Sequence, residues 1–196
     1  MRRALTAIVL MLAATGAGIA AASALVPQPR EFEQQPDRLL PGPAEPMTGA
    51  TAAEPGGGPD WAVRTYVSRT GLLCAERGRL RGDVFGDLRE DGGFEPRPPG
   101  ATGMCGDGRQ DPVLAAVDRL PAHAGQPEVT IVYGTSLRRL RAVTVEPDGG
   151  EPVDLPIGAR STFLGRFAGL RAPAALPLTV VFADGSSERI AWDGAP

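Results

Sequence analysis

Between Trp61 and Trp192 the chain alternates short apolar runs with turn residues, and this punctuation limits the fold more than any other feature. Candidate strands are Val129–Tyr133, Leu140–Val145, Glu151–Leu155, Thr162–Phe167, Leu178–Phe182 and Glu188–Trp192. Gly134-Thr135-Ser136, Pro147-Asp148-Gly149-Gly150, Ile157-Gly158 and Asp184-Gly185 separate them. Strands this short, spaced by Gly and Asp turns, are the signature of an antiparallel sandwich or barrel. Leu178, Val180 and Phe182 share one face, and Ile190 and Trp192 answer them across the Asp184-Gly185 hairpin. Earlier in the chain, Trp61, Val63, Thr65 and Val67 alternate with Ala62, Arg64, Tyr66 and Ser68, which reads as another strand. Leu72-Leu73-Cys74 reads as its return and Leu80–Phe85 as a further strand. A charged loop follows from Gly86 to Gly93, then a short strand near Phe94 and a Pro/Gly loop running to Cys105. Asp111–Leu120 fits two templates. Asp111-Pro112 suits an N-cap and first helical position, whereas Val113, Ala115 and Val117 alternate as in a strand. A partner at Val129–Tyr133 just beyond a short loop favours the strand.

The chain before this region has a different character. Arg2 and Arg3 precede an uncharged apolar run from Leu5 to Val26. As a helix that run spans about 33 Å, enough for a bilayer core, and the arginines would hold the N-terminus inside. Residues 1–26 therefore read as one hydrophobic helix, either a transmembrane anchor or a signal peptide cleaved after the small-residue site Ala22-Ser23-Ala24. Both readings place the rest of the chain outside the cytoplasm, as an anchored single-pass protein or a secreted one. Residues 27–60 carry eight prolines, the Gly56-Gly57-Gly58 run and few large apolar side chains. That composition predicts a disordered linker. The expected organisation is thus leader 1–26, linker 27–60, β domain 61–192 and a tail at 193–196.

Composition narrows the partners. The chain contains neither lysine nor asparagine, so arginine supplies every strong base and no N-x-S/T sequon exists. Net charge is −3, and cleavage after Ala24 would make it −5. A mildly acidic exported domain argues against nucleic acid as a partner. The expected partners are the membrane, through an uncleaved N-terminal segment, and a protein of the cell envelope.

Cys74 and Cys105 are the only cysteines. In an oxidising compartment they read as a disulfide, closing a loop worth about 3–4 kcal/mol by chain entropy. They fall short of a structural zinc site, which needs four ligands, because with the single histidine, His123, they supply only three without acidic help. His123 reads as a loop residue between strands. Gly134-Thr135-Ser136-Leu137-Arg138 begins like a nucleophile elbow but places Arg138 where glycine is needed, so Ser136 reads as a turn residue. Asp83, Asp87, Glu90 and Asp91 read as a solvated charged loop whose spacing does not match an EF-hand. Arg138, Arg139 and Arg141 read as charges guarding a strand edge. No catalytic residue, cofactor or metal ligand is assigned.

The strand ending in Tyr133-Gly134, the strand Leu140–Val145, the Asp-Gly turn after it and the strand ending in Phe167-Ala168-Gly169 resemble immunoglobulin-like modules. Together with Arg69-Thr70-Gly71-Leu72-Leu73-Cys74, they resemble those of uncharacterised exported or membrane-anchored actinobacterial-type proteins, over residues 61–192. The resemblance implies an antiparallel β-sandwich, immunoglobulin-like or related, outside the membrane, and brings no catalytic residues with it. The sequence departs from the immunoglobulin pattern in having no tryptophan between Cys74 and Cys105. The resulting expectation is a non-enzymatic, envelope-associated module for binding, sensing or structure. The alternatives are a small secreted hydrolase using Asp/Glu carboxylates and the extracytoplasmic domain of a membrane signalling complex.

Overall fold

The computed structural model describes residues 46–100, 103–108, 110–123 and 125–192. The apolar leader, most of the linker and the tail lie outside them. The described residues are mainly β, in antiparallel sheets, with helix limited to two 3₁₀ turns at 159–161 and 173–175. None of these helices is long and apolar enough to cross a membrane.

Three sheets form. The first contains β1 (Met47–Ala52), β2 (Asp60–Val67), β3 (Leu73–Arg81), β4 (Val84–Leu88) and β5 (Phe94–Pro96) in sequence order, with β6 (Met104–Gly106) also paired to β3. The second has the order β11–β8–β7, from β11 (Phe163–Ala168), β8 (Val129–Ser136) and β7 (Val113–Leu120). The third has the order β10–β9–β12–β13, from β10 (Val153–Asp154), β9 (Leu140–Val145), β12 (Leu178–Phe182) and β13 (Ser187–Ile190).

The second sheet lies in the middle, and β8 shows why. All eight of its residues are buried. Val129, Ile131 and Tyr133 pack with Ala50, Trp61, Val63 and Ala75 of the first sheet. Val132, on the opposite face, packs with Val143, Val145, Leu178, Val180 and Phe182 of the third. Side chains alternate across a strand, so one strand serves two cores. Phe163 lies across from Gly134 in the β11–β8 pair. A Cβ at Gly134 would stand 2.4 Å from the Phe163 ring, which explains the glycine.

Several expectations need correction. Residues 27–60 are not linker throughout, because Met47–Ala52 forms β1 and pairs with β2. This strand of small residues is held by distant partners: Thr162 Oγ1 accepts the buried Ala50 N–H at 2.7 Å. Gly49 is required there, since a Cβ would meet Thr162 Oγ1 at 2.0 Å. Leu80–Phe85 is not a strand. It contains a two-residue hairpin loop in which Gly82 takes φ +59°, and β3 and β4 meet at Arg81 and Val84. The charged loop shrinks accordingly, because Gly86, Asp87 and Leu88 pair with β5. Asp111–Leu120 resolves to β7, paired with β8 along its whole length. Arg138 and Arg139 precede β9 and Arg141 lies within it; β10 pairs only with Thr144 and Val145, so among the described residues the start of β9 has β12 as its strand partner.

Candidate functional site

The seam between the first and middle sheets carries charge where the other seam carries none. On β3, Ala75, Arg77 and Arg79 alternate with Cys74, Glu76 and Gly78, so arginines enter one face of the strand and a carboxylate, Glu76, the other. Arg79 donates to Glu54 Oε2 at 2.8 Å and to the Pro59 carbonyl, and its guanidinium stacks 3.4 Å from the Trp61 ring. Glu54 also accepts from Trp61 Nε1 at 2.9 Å and from Arg166 at 3.2 Å. Burial alone would raise the Glu54 pKa. Hydrogen bonds from Arg79 and Trp61, with the Arg166 charge behind them, outweigh burial and hold it below the ordinary value.

On the outer face of the first sheet, Arg64 donates to Glu76 at 2.9 Å and to the carbonyls of Arg97 and Pro98. The Gly100 N–H donates to the other Glu76 oxygen. The Pro/Gly loop thus closes over an otherwise naked ion pair. Between β4 and β6, which pair with opposite ends of one edge of β3, the central residues of β3 lack a strand neighbour on that edge, although β2 pairs with them on the other. Arg97 fills that gap, donating to the Arg77 carbonyl and to Asp87.

The disulfide forms as expected, joining Cys74 to Cys105 across the β3–β6 pair. It pins β6 and the loop before it beside the arginine cluster. Two cavities open along this seam. The first, of about 390 Å³, is lined by Trp61, Leu88, Leu120, Pro121 and Val129, with Arg77, Arg79, Asp87, His123 and Gln126 among its polar walls. The second, of about 440 Å³, is lined by Met104, Ala116 and Tyr133 with Arg77, Asp87, Arg97 and Asp118. They share Arg77 and Asp87, and both volumes fall in the range of small-molecule sites. Burial, followed by the Asp118 charge, pushes the Tyr133 phenol above its ordinary value, so it stays protonated.

His123 is exposed in a tight loop closed by reciprocal backbone bonds with Gln126, and it lies on the wall of the first cavity. Ser136 is not in a turn but is the buried last residue of β8, paired with Val113; its hydroxyl donates to the Pro112 carbonyl and accepts the Arg138 N–H. Of the acidic loop, Asp91 accepts from the Gly93 N–H and pairs with the exposed Arg89, whereas Asp87 belongs to the seam. Sequence reasoning missed Asp87, Asp118 and the β3 arginines. The available signal was charge on both faces of a strand flanked by apolar neighbours. Among the described residues, no group of three or more His, Cys, Asp or Glu side chains is placed to hold a metal ion. Compared with family models, curated proteins and solved structures, the chain matches none.

Proposed function

We propose that this protein is a non-enzymatic, exported and envelope-associated binding module whose ligand enters the seam between the first and middle sheets. The fold we propose is immunoglobulin-like for β7–β13. Seven strands divide three and four between two sheets, and the chain crosses between them after β8, β10 and β11, as Greek-key sandwiches do. The sheet β1–β6 then acts as an added layer that creates the seam. The observation carrying the binding reading is the pair of adjoining cavities that share Arg77 and Asp87. Pockets of this size, mostly apolar with a few converging polar groups, are the usual form of a recognition site. Retention of the leader would make the module the outer part of a membrane signalling assembly; its cleavage would make it a released one.

A hydrolase using Asp and Glu remains a second reading because Asp87 and Asp118 line the same cavity. Each is already engaged by an arginine, Asp87 by Arg97 and Asp118 by Arg77. Chemistry at either carboxylate would require breaking an ion pair first, which favours binding.

The test is a pull-down of tagged, membrane-extracted full-length protein, with N-terminal sequencing of the bait. It is run for the native chain and for Ala122→Arg, which fills the mouth of the first cavity from an exposed position. Partners lost from the variant alone support the seam. An unchanged partner set rejects it, and a bait in the soluble cytosolic fraction with reduced thiols rejects export.

A further inference from the structure

Arg77 is held from one side only. Its Nε donates to Asp118 Oδ2, and its two terminal nitrogens make no hydrogen bond among the described residues. Two other arginines of the seam are committed further, Arg79 to Glu54 and the Pro59 carbonyl and Arg97 to Asp87 and the Arg77 carbonyl; Arg166 makes a single bond, to Glu54, but lines neither cavity. Arg77 also stands where the two cavities meet, being a wall of each. Asp118 therefore holds the guanidinium at Nε and leaves the terminal pair of N–H groups without a partner among the described residues. That pair matches a carboxylate in geometry and charge.

The first cavity offers two further features. Leu88, Leu120, Pro121, Ala122, Pro127 and Val129 make most of its wall apolar. Gln126 lines the same cavity, and its side-chain oxygen is buried without a hydrogen-bond partner. A buried acceptor left unpaired carries a desolvation penalty that a ligand N–H would remove. One cavity thus presents a donor pair for an anion, an acceptor for an N–H and an apolar surface between other walls.

Resting on the reading of the seam as a binding site, we infer that its ligand is an acylated amino-acid end. Such a ligand is a free carboxylate with a neighbouring amide N–H and an apolar side chain, as at the C-terminus of a peptide. Arg77 takes the carboxylate, Gln126 the amide N–H, and the apolar wall the side chain. No bond is made or broken.

The probe is a hexapeptide ending in Ala-Leu, titrated into disulfide-intact full-length protein as the free acid and as the C-terminal amide. Calorimetry reads affinity. Trp61 fluorescence, isolated by Trp192→Phe, reads occupancy of the first cavity, which Trp61 lines. A charge-assisted bidentate contact predicts the acid bound about tenfold or more tighter than the amide. Arg77→Gln should erase that preference while leaving amide binding in place, and Gln126→Leu should weaken both ligands while preserving it. Equal binding of acid and amide overturns the inference while leaving the seam a binding site for another chemistry. Binding of neither peptide also overturns it, and the partner test with Ala122→Arg then decides the seam separately. The native protein's acid-to-amide ratio suffices should a variant fail to fold. N-acetyl-leucine bound as tightly as the hexapeptide supports the same chemistry with a free acylamino acid as its source; much weaker binding assigns the source to a peptide end.

Discussion

The middle sheet has two faces, and they differ in kind. Toward the third sheet it presents Val132, Phe163 and Phe167 to Val143, Val145, Leu176, Leu178, Val180 and Phe182, all buried and all apolar. Toward the first sheet it presents Ile131, Tyr133 and Leu164 together with Asp118 and Arg166, which meet Arg77, Arg79 and Glu54. Burial of apolar area stabilises without direction, whereas a buried ion pair roughly balances attraction against desolvation. The contrast separates two tasks. The dry seam supplies stability, and that surplus lets the charged seam keep cavities and partly engaged arginines.

The largest effect expected from this contrast lies on the dry side. Phe163 is fully buried in the third-sheet core. Phe163→Ala should lower unfolding free energy by about 3–5 kcal/mol, from lost transfer energy and the cavity left behind. Urea denaturation followed by circular dichroism measures it. A loss no greater than that of an exposed substitution would show the dry seam is not the stabilising one. Reducing the Cys74–Cys105 disulfide comes next, at about 3–4 kcal/mol by loop entropy. Its effect should be local as well. Hydrogen exchange should rise first in β6 and around Gly103 and Met104, which wall the second cavity, while β9 and β12 stay protected.

On the charged side, Glu54→Gln sharpens the comparison. Glu54 joins Arg79, Trp61 and Arg166, so the neutral amide leaves two largely buried guanidinium groups without their counter-charge. The expected loss is about 2–3 kcal/mol. The pH dependence has a definite sign. The folded pKa of Glu54 lies below its unfolded value. Its contribution is therefore complete above the unfolded value, about 4.3 for a glutamate, and is lost as pH falls through the folded one. Native protein should lose stability through that acid window. Glu54→Gln should show a flatter acid limb and a smaller difference from native protein as pH falls.

The dry seam was far more legible in the sequence than the charged one. Leu140–Val145 and Leu178–Phe182 coincide with β9 and β12, because local alternation bounded by turn residues suffices to specify them. Val113–Leu120 resisted assignment by period, and its pairing with β8 decided it. β1 was hidden because Met47–Ala52 offers little hydrophobicity of its own; the strand depends on β2 and on Thr162, which is 112 positions away. The ion network was hidden for the same reason. Glu54 and Arg166 are also 112 positions apart, and Arg77 and Asp118 are 41. An arginine-rich composition gives each of these residues an ordinary surface explanation, so only tertiary contact distinguishes Arg77 or Asp87 from a solvated charge.

The smallest expected effect tests whether burial, and not the set of contacts, determines the energy. Arg138 repeats the arrangement of Arg79 with similar parts. Its guanidinium lies 3.7 Å from the Phe182 ring, and it pairs with Asp184 at 2.5 Å. Arg79 lies 3.4 Å from the Trp61 ring and pairs with Glu54 at 2.8 Å. The difference is exposure: the Arg79 side chain is 6% exposed and that of Arg138 is 40%. Water and salt screen the exposed pair and barely reach the buried one. Arg138→Ala should therefore shift the denaturation midpoint only slightly, and the shift should shrink as salt is raised. The effect of Glu54→Gln should stay constant over the same salt range. If both variants respond to salt alike, water penetrates the charged seam, and the energies assigned to it must be reduced toward those of a surface pair.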